Sequence, residues 1–544
     1  MAKWFSDPGS FMAEMSPEEK VGQMMVAGFR GTTPSCDIRN LIEEYHIGGV
    51  ILFSRNVLDP LQVARLTKKL QDIAIKSKPH LPLIVATDQE GGIVARIRKS
   101  TSVHPGQMAL GATRSDELTY AAGDITGKEL RAMGINMNLA PALDVNSNPR
   151  NPVVGVRSFS ENPTLVSRLG VAMIRGLQKN RVIATAKHFP GHGDTSHDSH
   201  ETLPVLPHPL ERLKQVELRP FRAAIIRGVM AVMVGHLSIP TIDRKHGTPA
   251  TLSKRIITGL LRRDLRHQGL VTTDCMEMKA ITSNFESGEA AVKAVKAGVD
   301  LVMVSHTLKR QLESIRATQD ALRGGEINQK QIDLSVLRVL KAKAFAEKRH
   351  APTYRIGNVG TRNHLKLIAR MAEKSITLTM NRGVLPLKPE RKKTILSICF
   401  VPSSFARSST DFPATLRRKT PSHIRIRHFR CDPRPPRKQI MRVRRAASQA
   451  ELVVAASYDV THNAVQGKIL REIAARLPLV IVSMKEPYDV ACVPEASAHI
   501  AAYSPAECSV EAAVDVIVGR SRPAGRLPVS IPPLYAIGHG LRHF

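Results

Sequence analysis

The chain is poor in cysteine, in acidic residues and in aromatic side chains, and it contains no long apolar run. Its six cysteines are scattered and form no CxxC pair, which disfavours a disulfide framework and a structural zinc site. No segment approaches the roughly 20 apolar residues of a membrane-spanning helix, so an integral membrane protein is excluded. Only 4% of the residues are aromatic, too few for long stacking platforms along an extended polymer.

The rest of the composition is that of an ordinary globular protein. The chain has 544 residues, of which 42% are hydrophobic and 23% charged, and this excludes disordered, collagenous and coiled-coil classes. The length fits two large domains, because a barrel alone can take up about 200–250 residues. The amino terminus has no apolar segment before its first acidic residues. No secretory signal is therefore visible, and we expect a cytoplasmic protein.

Basic residues outnumber acidic ones by 79 to 47, which gives a formal net charge of +32. The excess is concentrated in residues 391–450, where sixteen Lys and Arg stand against two Asp. Such a surface attracts polyanions. No zinc-finger, helix-turn-helix or RNA-binding aromatic signature accompanies it, which disfavours nucleic acid as the partner. The cluster from Arg417 to Arg445 is either a solvated basic face or a contact site for another anionic polymer.

Short apolar runs alternate with longer amphipathic stretches through the first 345 residues. This pattern predicts strands of a parallel sheet separated by helices. The sequence indicates seven such strands and leaves the eighth unidentified, so residues 1–346 are predicted to form a TIM-type (β/α)8 barrel. The predicted strands are 48–53, 83–87, 137–143, 182–186, 231–234, 270–273 and 301–304, and helices are predicted between them at 60–75, 116–133, 163–178 and 210–227.

The pattern breaks after the barrel, and residues 347–370 are predicted to be a linker. A second series of apolar runs follows, and residues 371–544 are predicted to form a smaller open α/β (αβα) sandwich. Its predicted strands are 375–380, 394–401, 452–457, 479–483 and 499–502, with helices at 464–475 and 510–518.

Polar or ionisable residues follow six of the seven barrel strands. Any one of them alone is best explained as a helix cap or a loop residue. The carboxyl ends of parallel barrel strands share one face, however, so six in succession favour a polar active site on that face. These residues are Asp88, Asp144, Lys187 with His188, His236, Asp274, and Ser305 with His306.

The loop after the fourth of these strands, KHFPGHGDTSHDSH (187–200), contains the most polar and ionisable side chains. One interpretation is a metal site, but no HExxH motif or Cys ligand supports it. The other pairs Asp198 with His200, since a carboxylate beside an imidazole makes a general acid and base near neutral pH. Asp274 could then be a nucleophile that takes a sugar covalently, or a structural carboxylate. The possible metal ligands are His188, His192, His197 and His200.

This loop closely resembles the acid/base loop of the β-N-acetylglucosaminidases of glycoside hydrolase family 3. Other segments of the barrel resemble the family in the same order, and three segments of the carboxyl half resemble the second domain of its two-domain members. The barrel segments are DQEGGIVAR (88–96), NLAPALDVN (138–146), GVRSFS (155–160), MVGHL (233–237) and VTTDCMEM (271–278). The later ones are NRGVLPL, GRSRPAGRLPVSIP and YAIGHGL.

The resemblance implies roles for residues at matching positions. Asp274 is the implied nucleophile, His200 the general acid and base, and Asp198 its partner. Asp144 is a weaker match that is expected to brace the pocket. No metal or cofactor is implied. The residues expected to line the subsite for the non-reducing sugar are Asp88, Arg96, Arg157, Lys187, His188 and His236.

The implied activity is that of a retaining exo-β-N-acetylglucosaminidase. It would release terminal N-acetylglucosamine from muropeptides or related glycoconjugates through a covalent glycosyl–aspartate intermediate. The basic second domain would suit an anionic cell-wall polymer. The alternatives are a β-N-acetylglucosaminide phosphorylase, a β-glucosidase or β-xylosidase, and a non-catalytic protein that binds the cell wall or another polyanion. The presence of Asp198, His200 and Asp274 argues against the non-catalytic alternative.

Overall fold

The computed structural model describes residues 3–243, 247–347, 355–387, 394–406 and 411–544. Eight parallel strands form the first sheet, in the order β8-β1-β2-β3-β4-β5-β6-β7. A parallel bridge between Thr272 of β7 and Leu301, next to β8, links the two ends of the sheet. The predicted barrel is confirmed. Its strands are β1 (Met25–Gly28), β2 (Gly49–Leu52), β3 (Ile84–Thr87), β4 (Met137–Asn138), β5 (Ile183–Phe189), β6 (Ala231–Val234), β7 (Leu270–Thr273) and β8 (Val302–Val304).

The barrel strands are apolar on both faces because both faces are covered. In β2, Ile51 belongs to the cluster that fills the barrel interior, whereas Val50 and Leu52 pack outward against the helices. Side chains alternate along a strand, so only a continuous apolar run can satisfy both layers. This is why these strands are readable in the sequence as unbroken hydrophobic segments.

Helices surround the barrel between successive strands. The predicted helices at 60–75, 116–133 and 163–178 are present within one residue at each end, whereas the one expected at 210–227 is broken before Leu218. The break places Glu217 inside the protein, where its carboxylate accepts two hydrogen bonds from Nη1 of Arg212.

The helices between strands are Cys36–Glu43, Pro60–Lys76, Gln107–Thr113, Asp116–Ala132, Pro163–Lys179, Leu210–Gln215, Leu218–Ile226, Arg255–Asp264, Lys279–Thr282 and Ser287–Ala297. Others are Lys3–Ser6, Pro8–Glu14, Pro17–Gln23, Leu308–Arg323 and Gln329–Glu347, and single turns lie at Ser54–Asn56, Gly155–Arg157, Ala250–Leu252, Ile356–Asn358 and Val460–His462.

Two barrel strands differ from the sequence-based prediction. β1 is the strand that the sequence left unidentified, because its four residues follow directly on the apolar end of the helix Pro17–Gln23. β4 is shorter than the predicted 137–143, since Pro141 has no N–H to give to a strand ladder. Beyond Pro141 the chain still runs beside β5, through a parallel bridge from Ala142 to Lys187.

The second domain contains a six-stranded sheet in the order β9-β14-β13-β12-β10-β11. β9 is antiparallel to its neighbour and the other pairs are parallel. The predicted α/β sandwich is confirmed. The strands are β9 (Thr377–Asn381), β10 (Thr394–Cys399), β11 (Arg425–Arg430), β12 (Leu452–Ser457), β13 (Leu479–Ser483) and β14 (Ala498–Ala501). The helices are Arg362–Ser375, Ser403–Ala406, Phe412–Lys419, Arg437–Ala447, Ala464–Ala474, Asp489–Cys492 and Glu507–Ile517.

The basic segment contains an edge strand and three helices that the sequence did not reveal: Ser403–Ala406, Phe412–Lys419 and Arg437–Ala447. β11 reads RIRHFR, and none of its residues is buried, so it lacks the apolar run that marks the other strands. The helix Arg437–Ala447 packs on the sheet through Val443, Ala446 and Ala447. The predicted strand at 375–380 is β9, which begins at Thr377.

The two domains are in close contact. The helix Arg362–Ser375 begins within the expected linker, and its His364 bonds to Glu129 of the barrel through Nδ1 at 2.9 Å. Nδ2 of Asn146 donates to the Tyr488 hydroxyl at 3.0 Å across the domain boundary. An apolar cluster joins both domains. Among the residues that the structure describes, no helix has the length and apolar character needed to cross a bilayer.

The turn at Gly155 shows how closely the domains fit. Gly155 has a φ of 43°, in the left-handed region that favours glycine. A side chain at this position would collide with the Glu486 carboxylate of the second domain. The turn leads directly to Arg157, so the second domain packs against the segment that presents this arginine.

Candidate active site

A cavity of about 400 Å³ opens at the carboxyl ends of the barrel strands. All of the residues that line it lie between positions 51 and 306, so no described residue of the second domain contributes to its wall. The structure brings together most of the residues that the sequence predicted for the site. Those on the cavity wall are Asp88, Arg96, Arg157, Lys187, His188, His192, His200, Asp274, Ser305 and His306.

Asp274 directly follows β7 and its carboxylate faces the cavity. Burial by itself would raise the pKa of this carboxyl group, but His188, the Cys275 amide and Lys187 lower it below its ordinary value. The Cys275 N–H donates to Oδ1 of Asp274 at 2.7 Å. Asp274 is therefore an ionised carboxylate held in a fixed orientation, as a nucleophile requires.

Asp198 and His200 form a hydrogen-bonded pair at the cavity mouth. Oδ1 of Asp198 accepts from the His200 backbone N–H at 2.8 Å and from its Nδ1 at 2.7 Å. The bond to Asp198 raises the pKa of His200, and the charge of Asp274 raises it further. The imidazole is thus favoured in its protonated form, with Nδ1 committed to Asp198. Asp198 itself lies behind His200 and does not line the cavity.

One wall of the cavity is a network of alternating charges. Nζ of Lys187 lies 2.6 Å from Glu90 and 2.9 Å from Asp88. The Glu90 carboxylate also accepts from Nε and Nη2 of Arg157, at 3.0 and 2.8 Å, and Arg96 donates to Asp88 at 3.1 Å. Burial opposes the ionisation of Glu90, but Arg157 and Lys187 bring the pKa of its carboxyl group far below its usual value.

Glu90 is the member of this network that sequence reasoning missed. It stands two residues after Asp88, in a short hairpin beyond β3, and not at the strand end where polar residues were sought. The signal that could have found it is a second carboxylate in the same loop as Asp88 and Arg96. A pocket with three cationic side chains needs more than one anion to balance them.

Asp144 lies beneath the cavity and holds two parts of its floor. Its Oδ2 pairs with Nδ1 of His188 at 2.8 Å, and its Oδ1 accepts from the His192 backbone N–H at 2.7 Å. Asp144 is completely buried, so it contacts the side chains around it and not the cavity.

His236 lies behind Asp274 and is not among the residues on the cavity wall. Its Nδ1 bonds to the Thr251 hydroxyl at 2.6 Å and its Nε2 to the Cys275 carbonyl at 2.9 Å. Burial lowers the pKa of His236, so the neutral ring is favoured. Both of its nitrogens support protein groups, in contrast to the sugar contact expected from the sequence.

The four histidines of the 187–200 loop have separate partners. His188 pairs with Asp144, His192 with two hydroxyls, His197 with Ser196 and His200 with Asp198. Within the described ranges, no group of three or more His, Cys, Asp or Glu side chains is arranged to hold a metal ion.

The buried ion pairs of the charged wall are expected to contribute to the stability of the protein. The side chains of Glu90 and Lys187 are each only 2% exposed. The substitution Glu90→Gln leaves Lys187 and Arg157 buried without their shared anion, and we expect the free energy of unfolding to fall by about 3–5 kcal/mol. Urea denaturation measures this change.

The matched control is Glu211→Gln, which removes the charge of a surface pair with Lys214 in which the Glu211 side chain is 77% exposed. This variant is expected to lose less than about 1 kcal/mol. Equal losses in the two variants would contradict the importance of the buried network.

Models of known families match both domains. The model described as "Glycosyl hydrolase family 3 N terminal domain" matches residues 16–342, and "Glycosyl hydrolase family 3 C-terminal domain" matches residues 376–536. A structure of a glycoside hydrolase family 3 β-N-acetylglucosaminidase from Paenibacillus sp. superposes with a TM-score of 0.89 and 40% identity. It covers 95% of this chain and 99% of the other.

Two curated relatives are similar at the sequence level. Beta-hexosaminidase A of Pseudoalteromonas piscicida is 40% identical over 380 residues, which are 66% of this chain and 63% of the relative. The match thus spans less than two thirds of that protein. Beta-hexosaminidase LpqI of Mycobacterium tuberculosis is 33% identical over 345 residues, 62% of this chain and 85% of the relative. With both domains matched by its models, the chain belongs to glycoside hydrolase family 3 and is a glycoside hydrolase.

Proposed function

We propose that this enzyme is a retaining exo-β-N-acetylglucosaminidase. The observation that carries the proposal is the convergence of an ionised carboxylate, Asp274, and the Asp198–His200 pair on one small cavity. A cavity of about 400 Å³ suits a terminal sugar. The names of the related proteins, beta-hexosaminidases and a β-N-acetylglucosaminidase, support the acetamido sugar over glucose or xylose.

The reaction proceeds in two steps. In the first, a carboxylate oxygen of Asp274 bonds to the anomeric carbon while the bond to the departing oxygen breaks, and His200 gives that oxygen its proton. In the second, neutral His200 takes a proton from water, whose oxygen displaces Asp274 from the anomeric carbon. Two inversions give net retention.

The charged wall serves to bind and orient the sugar. Burial opposes ionisation of Asp88, but Lys187 and Arg96 lower the pKa of its carboxyl group, so Asp88 can accept hydrogen bonds from two sugar hydroxyls. Arg157 and Lys187 donate to ring substituents. We propose muropeptides and related glycoconjugates with terminal β-linked N-acetylglucosamine as substrates.

The first test compares release of p-nitrophenol from the β-N-acetylglucosaminide and the β-glucoside. We expect strong preference for the acetamido sugar, and Asp274→Ala should lower kcat/KM by about 10⁴-fold or more because the nucleophile is lost. The control Asp264→Ala removes an exposed carboxylate paired with Arg263 and should retain activity. A folded wild-type protein that hydrolyses neither substrate would contradict the proposal.

The same assay in phosphate separates hydrolysis from phosphorolysis. The acid/base group is an imidazole and not a carboxylate, so it repels a phosphate anion less than a carboxylate would. A retaining hydrolase gives free N-acetylglucosamine in phosphate as in other buffers. Accumulation of the sugar 1-phosphate would assign the enzyme as a phosphorylase instead.

The pH dependence of kcat/KM tests the role of the Asp198–His200 pair. Above its raised pKa, His200 loses the proton that the departing oxygen needs, so activity falls on the alkaline side. In Asp198→Asn the bond that raises this pKa is weakened, and His200 loses its proton at lower pH. We therefore expect the alkaline limb to move to lower pH, and an unmoved limb would show that another group supplies the proton.

We also propose that the basic face of the second domain binds an anionic cell-wall polymer. Several cations of the segment are ion-paired within the protein, including Arg418 with Glu511 and Arg444 with Glu472. Other exposed cations have no acidic side chain within salt-bridge distance in the described ranges, which leaves them available to a ligand. These are Arg417, Arg425, Arg437, Lys438 and Arg445.

Co-sedimentation with isolated cell walls tests this face. The triple change of Arg437, Lys438 and Arg445 to Gln should weaken binding about tenfold at low salt, and binding by the wild type should fall as salt is raised. The control changes Arg65, Lys69 and Lys76 to Gln, which removes the same charge from the exposed side of the helix Pro60–Lys76. Binding that ignores salt, or equal binding by both triple variants, would contradict the proposal.

A further inference from the structure

The loop that carries Asp198 and His200 is anchored unevenly. Up to Thr195 it is held by the segment that follows β4. Nδ2 of Asn151 donates to the carbonyls of His192 and Thr195 at 2.8 and 3.0 Å. Beyond Thr195, residues 196–200 are exposed or half-buried with one exception, Ser199, which is 3% exposed.

Ser199 immediately precedes His200 and has two contacts with the protein body. Its Oγ lies 3.1 Å from Nε2 of His192. Its carbonyl accepts from the Ala280 N–H at 3.3 Å, in the helix Lys279–Thr282. The acid/base pair is thus attached to the protein through the residue between its two members.

His192 is arranged to receive the Ser199 hydroxyl. The Thr195 hydroxyl donates to the His192 carbonyl at 3.1 Å, so it accepts from Nδ1 at 2.7 Å. Nε2 is then unprotonated and accepts from Ser199. Burial lowers the pKa of His192 to about 4, so the ring stays neutral and this acceptor persists at neutral pH. The backbone N–H of His192 is fixed by Asp144.

We propose that His192 and Ser199 are positioning residues for the general acid. The Ser199–His192 hydrogen bond holds the Asp198–His200 pair at the cavity mouth, where His200 can reach the departing oxygen. This inference rests on the proposed role of His200 and goes beyond it, because neither His192 nor Ser199 takes part in the chemistry. The link runs from Asp144 through His192 and Ser199 to His200.

The test compares Ser199→Ala with Ser196→Ala. Ser196 is an exposed serine of the same loop whose hydroxyl bonds only to His197 among the described residues, so it is a matched control. In kcat/KM, which reports the first chemical step, Ser199→Ala should lose about 10- to 100-fold on N,N′-diacetylchitobiose, whose leaving group needs a proton. The loss on the 2,4-dinitrophenyl glycoside, whose leaving group needs none, should stay below about threefold.

A structural defect that is not specific to the acid would lower kcat/KM on both substrates alike, and that result would overturn the proposal. Equal behaviour of the Ser199 and Ser196 variants would overturn it as well. Loss confined to the disaccharide, with the aryl glycoside still bound and cleaved, supports it.

Hydrogen exchange gives a measurement that does not depend on turnover. The amides of His200, Glu201 and Thr202 are hydrogen-bonded to Asp198, so their exchange reports on the order of this part of the loop. Ser199→Ala should speed exchange in residues 196–202 while 191–195 stay protected, and Ser196→Ala should not. If the wild type cleaves neither substrate, the proposed function fails while exchange still decides whether Ser199 anchors the loop.

Discussion

The buried balance of charge on the cavity wall is the interaction on which the rest of the site depends. Glu90 and Asp88 hold Lys187, Arg157 and Arg96 in place through direct ion pairs. A buried cation without a partner is costly, so each of these side chains fixes the others. The same wall contributes to keeping Asp274 ionised, since Lys187 is among the groups that lower its pKa. The wall proposed to bind the sugar and the ionised state of Asp274, the proposed nucleophile, therefore depend on one arrangement of charges.

Asp144 extends this dependence to the other half of the site. One of its oxygens orients His188 on the cavity wall, and the other fixes the backbone of His192, which lies in the same loop as Asp198 and His200. A single buried carboxylate thus supports the floor of the cavity and also the loop that carries His200, the proposed general acid. This explains why a loop rich in glycine and polar residues can carry a group that must be placed accurately.

Sequence reasoning succeeded where the fold imposes a simple pattern. Barrel strands are apolar on both faces and end at one edge, so their runs and the polar residues that follow them, such as Asp88 and Asp274, are visible directly. It failed where a strand follows a helix without a polar break between them, and where a strand lacks an apolar run. β1 follows a helix without a break, and β11 is a half-exposed edge strand made largely of arginine. Glu90 was missed because it lies in the hairpin beyond β3 and not at the strand end. The position of His236 depends on what its side chain contacts in three dimensions, which no local pattern records.

The roles of residues within the 187–200 loop illustrate the same limit. Spacing from Asp198 singled out His200 as the acid and base, but residue type alone left all four histidines open as possible metal ligands. The partners distinguish them in the structure: Asp198 supports His200, the proposed acid, at the cavity mouth, and two hydroxyls surround His192, whose ring is neutral.

The contact between Gly155 and Glu486 limits how far the two domains can be treated as separate modules. The Glu486 carboxylate occupies the space beside Gly155 that any other residue would need for its side chain. A barrel joined to this second domain would have to keep a glycine at this point, or the Glu486 side chain would have to move. The choice of residue in a barrel loop is thus constrained by the other domain, and that loop leads to an arginine on the wall of the cavity.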